Sequence, residues 1–97
     1  MGYHSLQLCA GGGAFEAVPV PRLTLDLRQA RGTLESHGIP VVDARVLLIA
    51  QLEREVTLSR DGRVLIKTRD LAEAGVVFEH LRKLLGLPTV GSDHPRR

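Results

Sequence analysis

The chain has 97 residues, 43% hydrophobic and 25% charged, with a net charge of +2 and one cysteine. This length supports one small domain, and the composition excludes a wholly disordered chain. One tyrosine and two phenylalanines are too few for a base-stacking nucleic-acid module. One cysteine cannot form an internal disulfide, and residues 1–14 lack the pattern of a secretion signal. We therefore expect a cytoplasmic protein that does not span a membrane.

The first segment of the chain ends in small residues that offer little side chain to bury. Residues 1–14 end in a glycine-rich run and are expected to form a flexible leader outside the core. Residues 15–21 alternate apolar residues with polar residues or proline. The two prolines confine this stretch to an edge strand or an extended approach to the domain.

The next segment carries the signals of a first helix. Thr24 is expected to be the N-cap, with Asp26 in the first turn where a negative charge suits the helix dipole. Gly38 and Pro40 mark the end. The apolar stripe at helical spacing is formed by Leu27, Ala30 and Leu34.

From Val41 the apolar period changes to two, which predicts one long strand that reaches Leu52 and pairs with the opening stretch. One face of this strand is wholly apolar and is expected to lie under the helices. That face consists of Val42, Ala44, Val46, Leu48, Ala50 and Leu52. The opposite face mixes polar and apolar side chains: Asp43, Arg45, Leu47, Ile49 and Gln51.

A hairpin and a second helix follow. The alternating runs 56–58 and 64–66 flank Asp61-Gly62, a pair that favours a tight hairpin turn. Asp70 and Glu73 then form a predicted capping box. The helical stripe that follows comprises Leu71, Ala74, Val77 or Phe78, Leu81, and Leu84 or Leu85. Gly86 and Pro88 end this helix, and residues 88–97 are expected to be a disordered tail.

Together these elements predict an α+β domain over residues 15–87. Its antiparallel sheet has three to four strands, and two helices pack on one face in the order helix, meander, helix. This order resembles one half of the TATA-binding-protein fold. The second face would stay uncovered and is the predicted interaction face, comprising Arg45, Leu47, Ile49, Leu65 and Lys67. We expect a homodimer or a protein partner there; isolated exposed aliphatics, or cover by the leader, are the alternatives.

No enzyme signature is present, so we expect no catalytic residues and no cofactor. Cys9 lies beside three glycines that leave its thiol accessible, but no histidine or carboxylate stands nearby in sequence to activate it. One cysteine and four scattered histidines do not make a zinc site. The run 11–13 lacks the lysine and serine or threonine of a phosphate-binding loop. The sequence leaves any small-molecule ligand undefined.

One stretch carries a family resemblance. The strand Val56-Thr57-Leu58, the turn and strand from Asp61 to Lys67, and then Asp70 and Ala74 resemble the C-terminal extension of bacterial ThiF/MoeB/HesA-type adenylyltransferases. That family activates sulfur carrier proteins. Arg60 stands where the family has a turn proline, and the nucleotide-binding domain is absent. The resemblance therefore implies a docking or accessory role in sulfur transfer or cofactor biosynthesis, without adenylation activity.

The leading hypothesis is a non-enzymatic interaction module of this kind. Two alternatives stay open. The first is a weak nucleic-acid binder, although the charge does not favour it, which would use Arg45, Arg63, Lys67 and Arg69. The second is a thiol-dependent sulfur-handling protein that acts through Cys9.

Overall fold

The computed structural model describes residues 2–9 and 11–89, which form eight strands and two helices. The strands are β1 (Gly2–Tyr3), β2 (Gln7–Leu8), β3 (Phe15–Ala17), β4 (Pro19–Val20), β5 (Val41–Asp43), β6 (Leu47–Gln51), β7 (Glu55–Ser59) and β8 (Val64–Ile66). The helices are α1 (Leu27–Ser36), between β4 and β5, and α2 (Leu71–Leu85), after β8. Met1, Ala10 and most of the predicted tail, residues 90–97, lie outside the described residues.

The main sheet has six antiparallel strands in the order β2-β3-β8-β7-β6-β5, and β1 pairs with β4 in a separate two-stranded sheet. The α+β class, the antiparallel pairing and the two helices are confirmed. The expected number of three to four strands is wrong, because the leader supplies β2 and the predicted long strand divides into β5 and β6. The opening stretch pairs through β3 with β8 and not with the strand that begins at Val41.

The long strand predicted from Val41 to Leu52 is interrupted by a turn. The N–H of Arg45 donates to Oδ1 of Asp43 at 2.8 Å, and Arg45 adopts a left-handed φ of 72°. An aspartate that binds the backbone two residues further on favours such a reversal. The chain turns back, and β5 pairs antiparallel with β6.

This reversal changes which side chains face the helices. Leu48 and Ala50 are buried under the helices as predicted. Val42 and Val46, predicted to lie beside them, are instead 61% and 63% exposed. The apolar period of two was real, but the two halves of the segment belong to different strands and so do not share one face.

The β7–β8 hairpin has the predicted turn. Gly62 takes a left-handed φ of 89°, and the N–H of Arg63 donates to Oδ1 of Asp61 at 3.2 Å. Gly62 is buried, and its carbonyl accepts the hydroxyl of Tyr3 at 2.6 Å.

The leader contributes to the core, contrary to expectation. Tyr3 is 2% exposed, and its ring packs edge to face on Phe78 with centroids 5.0 Å apart. Its backbone N–H donates to the carbonyl of Thr89 at 2.9 Å. Burial, and secondarily the charge of Asp61, raises the pKa of Tyr3 to about 12. A single aromatic residue near the start of a glycine-rich leader does not belong to a helical or strand pattern, so its burial could not be predicted.

Both helix starts use an aspartate. Asp26 and not Thr24 caps α1, because Oδ1 of Asp26 accepts the N–H of Gln29 at 3.1 Å. The expected stripe of α1 is confirmed at Ala30 and Leu34, which are buried. The helix is followed by Gly38, which has a left-handed φ of 76°.

The start of α2 is a modified capping box. Asp70 accepts the N–H groups of Ala72 and Glu73 as expected. The carboxylate of Glu73 does not return to the N–H of Asp70 but accepts the hydroxyl of Thr68 at 2.6 Å, and Oγ1 of Thr68 accepts that N–H at 3.2 Å. The hydrogen bond from Thr68 and then Arg54 lower the pKa of Glu73. Gly86 ends the helix with a φ of 71°.

One aliphatic core lies between the helices and one face of the sheet. Alternate residues of β6, β7 and β8 point into it, which leaves their neighbours on the opposite face. The sheet contributes Leu48, Ala50, Val56, Leu58, Val64 and Ile66, and α2 contributes Ala74, Val77, Phe78 and Leu81. Leu71, predicted to belong to the stripe of α2, is 57% exposed.

Candidate functional site

The sheet face opposite the helices, hereafter the open face, carries one row of residues that crosses all six strands. Antiparallel partners follow one another in register from β5 to β2: Val42, Ile49, Thr57, Leu65, Glu16 and Gln7. The first four members are aliphatic or carry a methyl group. Leu47 lies beside the row on β6. The register therefore joins the predicted residues Leu47, Ile49 and Leu65 into one strip.

Sequence reasoning missed Val42 as a member of this strip. It placed Val42 under the helices because the turn at Asp43 was not recognised. The pair Val42 and Ile49 extends the apolar strip to the edge strand β5. The available signal was Asp43 itself, since an aspartate inside an apolar alternating run favours a turn over a continuous strand.

Charges of both signs border the strip. Arg63 and Glu16 form an ion pair across β3 and β8, with Nη1 and Oε2 3.2 Å apart. Glu55 accepts a hydrogen bond from the amide of Gln51 at 3.5 Å, and the backbone N–H of Lys67 donates to the carbonyl of Glu55 at 2.9 Å. Two carboxylates thus accompany two basic side chains, and the open face has no concentrated positive charge.

Of the two predicted cations, Lys67 borders the open face, but Arg45 does not. Lys67 lines a recess together with Thr57 and Leu65. Arg45 lies in the β5–β6 turn and lines a different cleft with Arg28 and Arg31 of α1. The structure therefore places Arg45 beside α1 and not on the open face with Leu47, Ile49 and Leu65, because the chain reverses at Asp43 where the prediction had a continuous strand.

Cys9 adjoins the open face. The loop between β2 and β3 is closed by the N–H of Cys9 donating to the carbonyl of Ala14 and by the N–H of Gly12 donating to the carbonyl of Cys9, both at 2.8 Å. Cys9 is partly exposed. It forms one wall of the recess, about 420 Å³, that Leu65 and Lys67 line on the sheet side. Two sites predicted separately, the thiol and the interaction face, are thus neighbours.

The four basic residues proposed for nucleic acid do not form one surface. Arg63 is paired with Glu16 on the open face. Lys67 and Arg69 line a cavity of about 650 Å³ at the start of α2, together with Arg54 and Glu73. Arg54 is itself paired with Glu73, with Nε and Oε2 3.0 Å apart. Arg45 lies with α1.

Among residues 2–9 and 11–89, no three histidine, cysteine, aspartate or glutamate side chains are grouped closely enough to hold a metal ion. His80 contacts a single carboxylate, that of Glu53, at 3.2 Å. In the same part of the chain, no helix is both long and apolar enough to cross a membrane.

Comparison with known proteins adds no relative: no protein family model, no curated protein and no solved structure matches the chain. The resemblance to the adenylyltransferase extension stays a prediction from the sequence.

Proposed function

We propose that this chain is a small non-enzymatic interaction module that self-associates through its open face. The observation that supports this is the in-register strip of Val42, Ile49, Thr57 and Leu65 on the face opposite the helices, where Val42 is 61% exposed and the other three are half-buried. Contiguous aliphatic side chains on a sheet face are typical of an interaction surface.

The occupant we propose is a second copy of the chain. The open face offers Glu16 and Glu55 together with Arg63 and Lys67, so a two-fold related copy can place carboxylates opposite basic groups. A polyanionic partner would instead meet the two carboxylates. A stable interface buries about 800 Å² on each partner. A strip one to two residues deep offers a smaller area, so we expect a weak dimer that dissociates at micromolar concentration.

Sedimentation velocity over a range of concentrations tests the dimer. Leu65→Asp places a charge in the middle of the strip and should leave the chain monomeric at concentrations where the wild type is largely dimeric. Val76→Asp is the matched control, since Val76 is 60% exposed on α2, away from the open face. The control should sediment as the wild type does.

Cys9 supplies a second measurement that does not depend on a variant. Because this thiol lines the recess beside Leu65, its alkylation by a maleimide should slow as the wild-type concentration rises through the dimerisation range. The dimer proposal would be contradicted if the wild type stayed monomeric at every concentration and the alkylation rate of Cys9 did not depend on concentration. The strip would then be a surface feature without a partner copy.

A role beside a sulfur carrier protein is the finer form of this proposal and comes from the family resemblance alone. Its test is co-sedimentation of the wild type and of Leu65→Asp with a purified sulfur carrier protein. Binding by the wild type that Leu65→Asp loses would support a docking role at the open face.

A further inference from the structure

Four arginines from three separated segments meet around one cleft on the helix side of the sheet. Arg28 and Arg31 belong to α1, Arg45 to the β5–β6 turn and Arg60 to the β7–β8 turn. The cleft has a volume of about 530 Å³. These four residues define what we call the arginine cleft. Its other walls are formed by Leu25, Asp26, Leu27 and Asp43.

The arginine cleft concentrates the positive charge of the chain. Four arginines against two aspartates leave a formal charge of +2, which equals the net charge of the whole protein. Only Arg31 is neutralised, by Glu35 at 3.2 Å and by Asp43 at 3.4 Å. Within the described residues, the other three arginines form no ion pair with a carboxylate. Their guanidinium donors are free for a ligand.

The arginine cleft brings like charges together, mostly at exposed positions. Like charges repel one another, and one oxygen of the remaining carboxylate, Oδ1 of Asp26, already accepts the N–H of Gln29. Arg45 holds a left-handed φ of 72°, which a glycine would adopt without strain. A bound anion would offset the repulsion between the arginines.

We propose that the arginine cleft binds a phosphate or diphosphate group. A guanidinium presents two parallel N–H donors that match two phosphate oxygens, so arginines without partners favour this anion. The cleft has only leucines as apolar walls and no aromatic ring on which a base could stack. The ligand is thus a compact anion, either free diphosphate or the phosphate of a small ester.

Calorimetric titration of the wild type at low salt tests the proposal, with inorganic diphosphate, ribose 5-phosphate and a short thymidine oligonucleotide as probes. We expect binding of at least one small probe. Tighter binding of diphosphate would identify the free anion, and tighter binding of ribose 5-phosphate would identify a phosphate ester. No measurable binding of either would overturn the proposal, as would an oligonucleotide that binds more tightly through the same arginines.

Matched variants assign the binding to the cleft. Arg28→Gln with Arg60→Gln should weaken binding about a hundredfold, since each charge-assisted contact contributes roughly tenfold. The control, Arg69→Gln with Lys83→Gln, removes the same charge from exposed positions outside the cleft and should change binding less than about threefold, because distant charges are screened. If both double variants lost the same amount of affinity, the effect would be due to the net charge of the protein, and the arginine cleft would be rejected as the binding site.

Arg45→Gly is the second variant, and it distinguishes a loss of binding from a loss of folding. It removes one guanidinium from the cleft and replaces a strained residue by one that suits the turn. We expect about tenfold weaker binding of the preferred small probe, with an unchanged circular dichroism spectrum. Unchanged binding would remove Arg45 from the site and contradict a cleft that spans three segments.

Discussion

The β7–β8 and β5–β6 turns of the main sheet both begin with an aspartate, but they place the left-handed residue at different positions, one residue after Asp61 and two residues after Asp43. In each, an aspartate accepts the N–H of the residue two positions later: Asp61 from Arg63 at 3.2 Å and Asp43 from Arg45 at 2.8 Å. The left-handed residue is Gly62 in the β7–β8 turn and Arg45 in the β5–β6 turn. Glycine takes this conformation freely, whereas an arginine does so with strain.

The difference follows from what surrounds each turn. Gly62 is buried, and a methyl group on it would lie 3.0 Å from Cγ of Pro19 and 3.1 Å from Cβ of Leu23. These contacts are tighter than a Cβ normally makes, and the left-handed φ of 89° would strain any residue other than glycine. The β5–β6 turn is exposed, so its side chain is free to reach the cleft beside α1. One turn therefore serves packing, and we infer that the other keeps a strained residue for its guanidinium.

The largest effect should come from Gly62→Ala. The variant combines strain at a left-handed φ with tight contacts to Pro19 and Leu23, and we expect a loss of about 2–4 kcal/mol in the free energy of unfolding. Urea denaturation followed by circular dichroism measures it. A loss below about 0.5 kcal/mol, the range of ordinary surface substitutions, would show that the turn tolerates a side chain after all.

Tyr3→Phe should have an intermediate effect, because it leaves the buried carbonyl of Gly62 without its donor. We expect a loss of about 1–3 kcal/mol at neutral pH. Urea denaturation of both proteins at pH 7 measures this loss.

The same pair of proteins should differ in alkaline solution. Below pH 10 the folded and unfolded wild type both hold the phenol proton, and the stability is fully present. Between the ordinary pKa of 10.0 and the folded value of about 12, only the unfolded state releases it, so stability falls with rising pH by about 2–3 kcal/mol. Tyr3→Phe should lack this part of the decline. Parallel pH profiles would contradict the assignment.

Arg45→Gly should have the smallest effect and the opposite sign. Relief of the left-handed strain is partly offset by the greater freedom of glycine in the unfolded chain, so we expect a gain of about 0.5–1 kcal/mol. Thermal and urea unfolding at low salt both measure it. A loss of stability would mean that Arg45 makes a stabilising contact in the absence of any ligand, and that the comparison with Gly62 fails.

The parts of the fold that could be predicted are those in which a local signal and the tertiary structure agree. Asp61-Gly62, the cap at Asp70 and the end at Gly86 were identified because each residue type fits one backbone geometry. On the open face, Leu47, Ile49 and Leu65 were placed together correctly by their alternation. Val42 and Arg45 were misplaced because the turn at Asp43 was missed. A missed turn assigns the residues before it to the wrong face of the sheet.

The sequence by itself determined the α+β class, two helices with apolar stripes and one glycine turn, because these depend on residue type and period over a few neighbours. Only the tertiary structure decided that Tyr3 enters the core, that Cys9 adjoins Leu65, and that arginines as far apart as Arg28 and Arg60 share one cleft. Those juxtapositions depend on the register of strands distant in sequence. No local pattern contains that information, since register is fixed by the packing of the whole sheet against its helices.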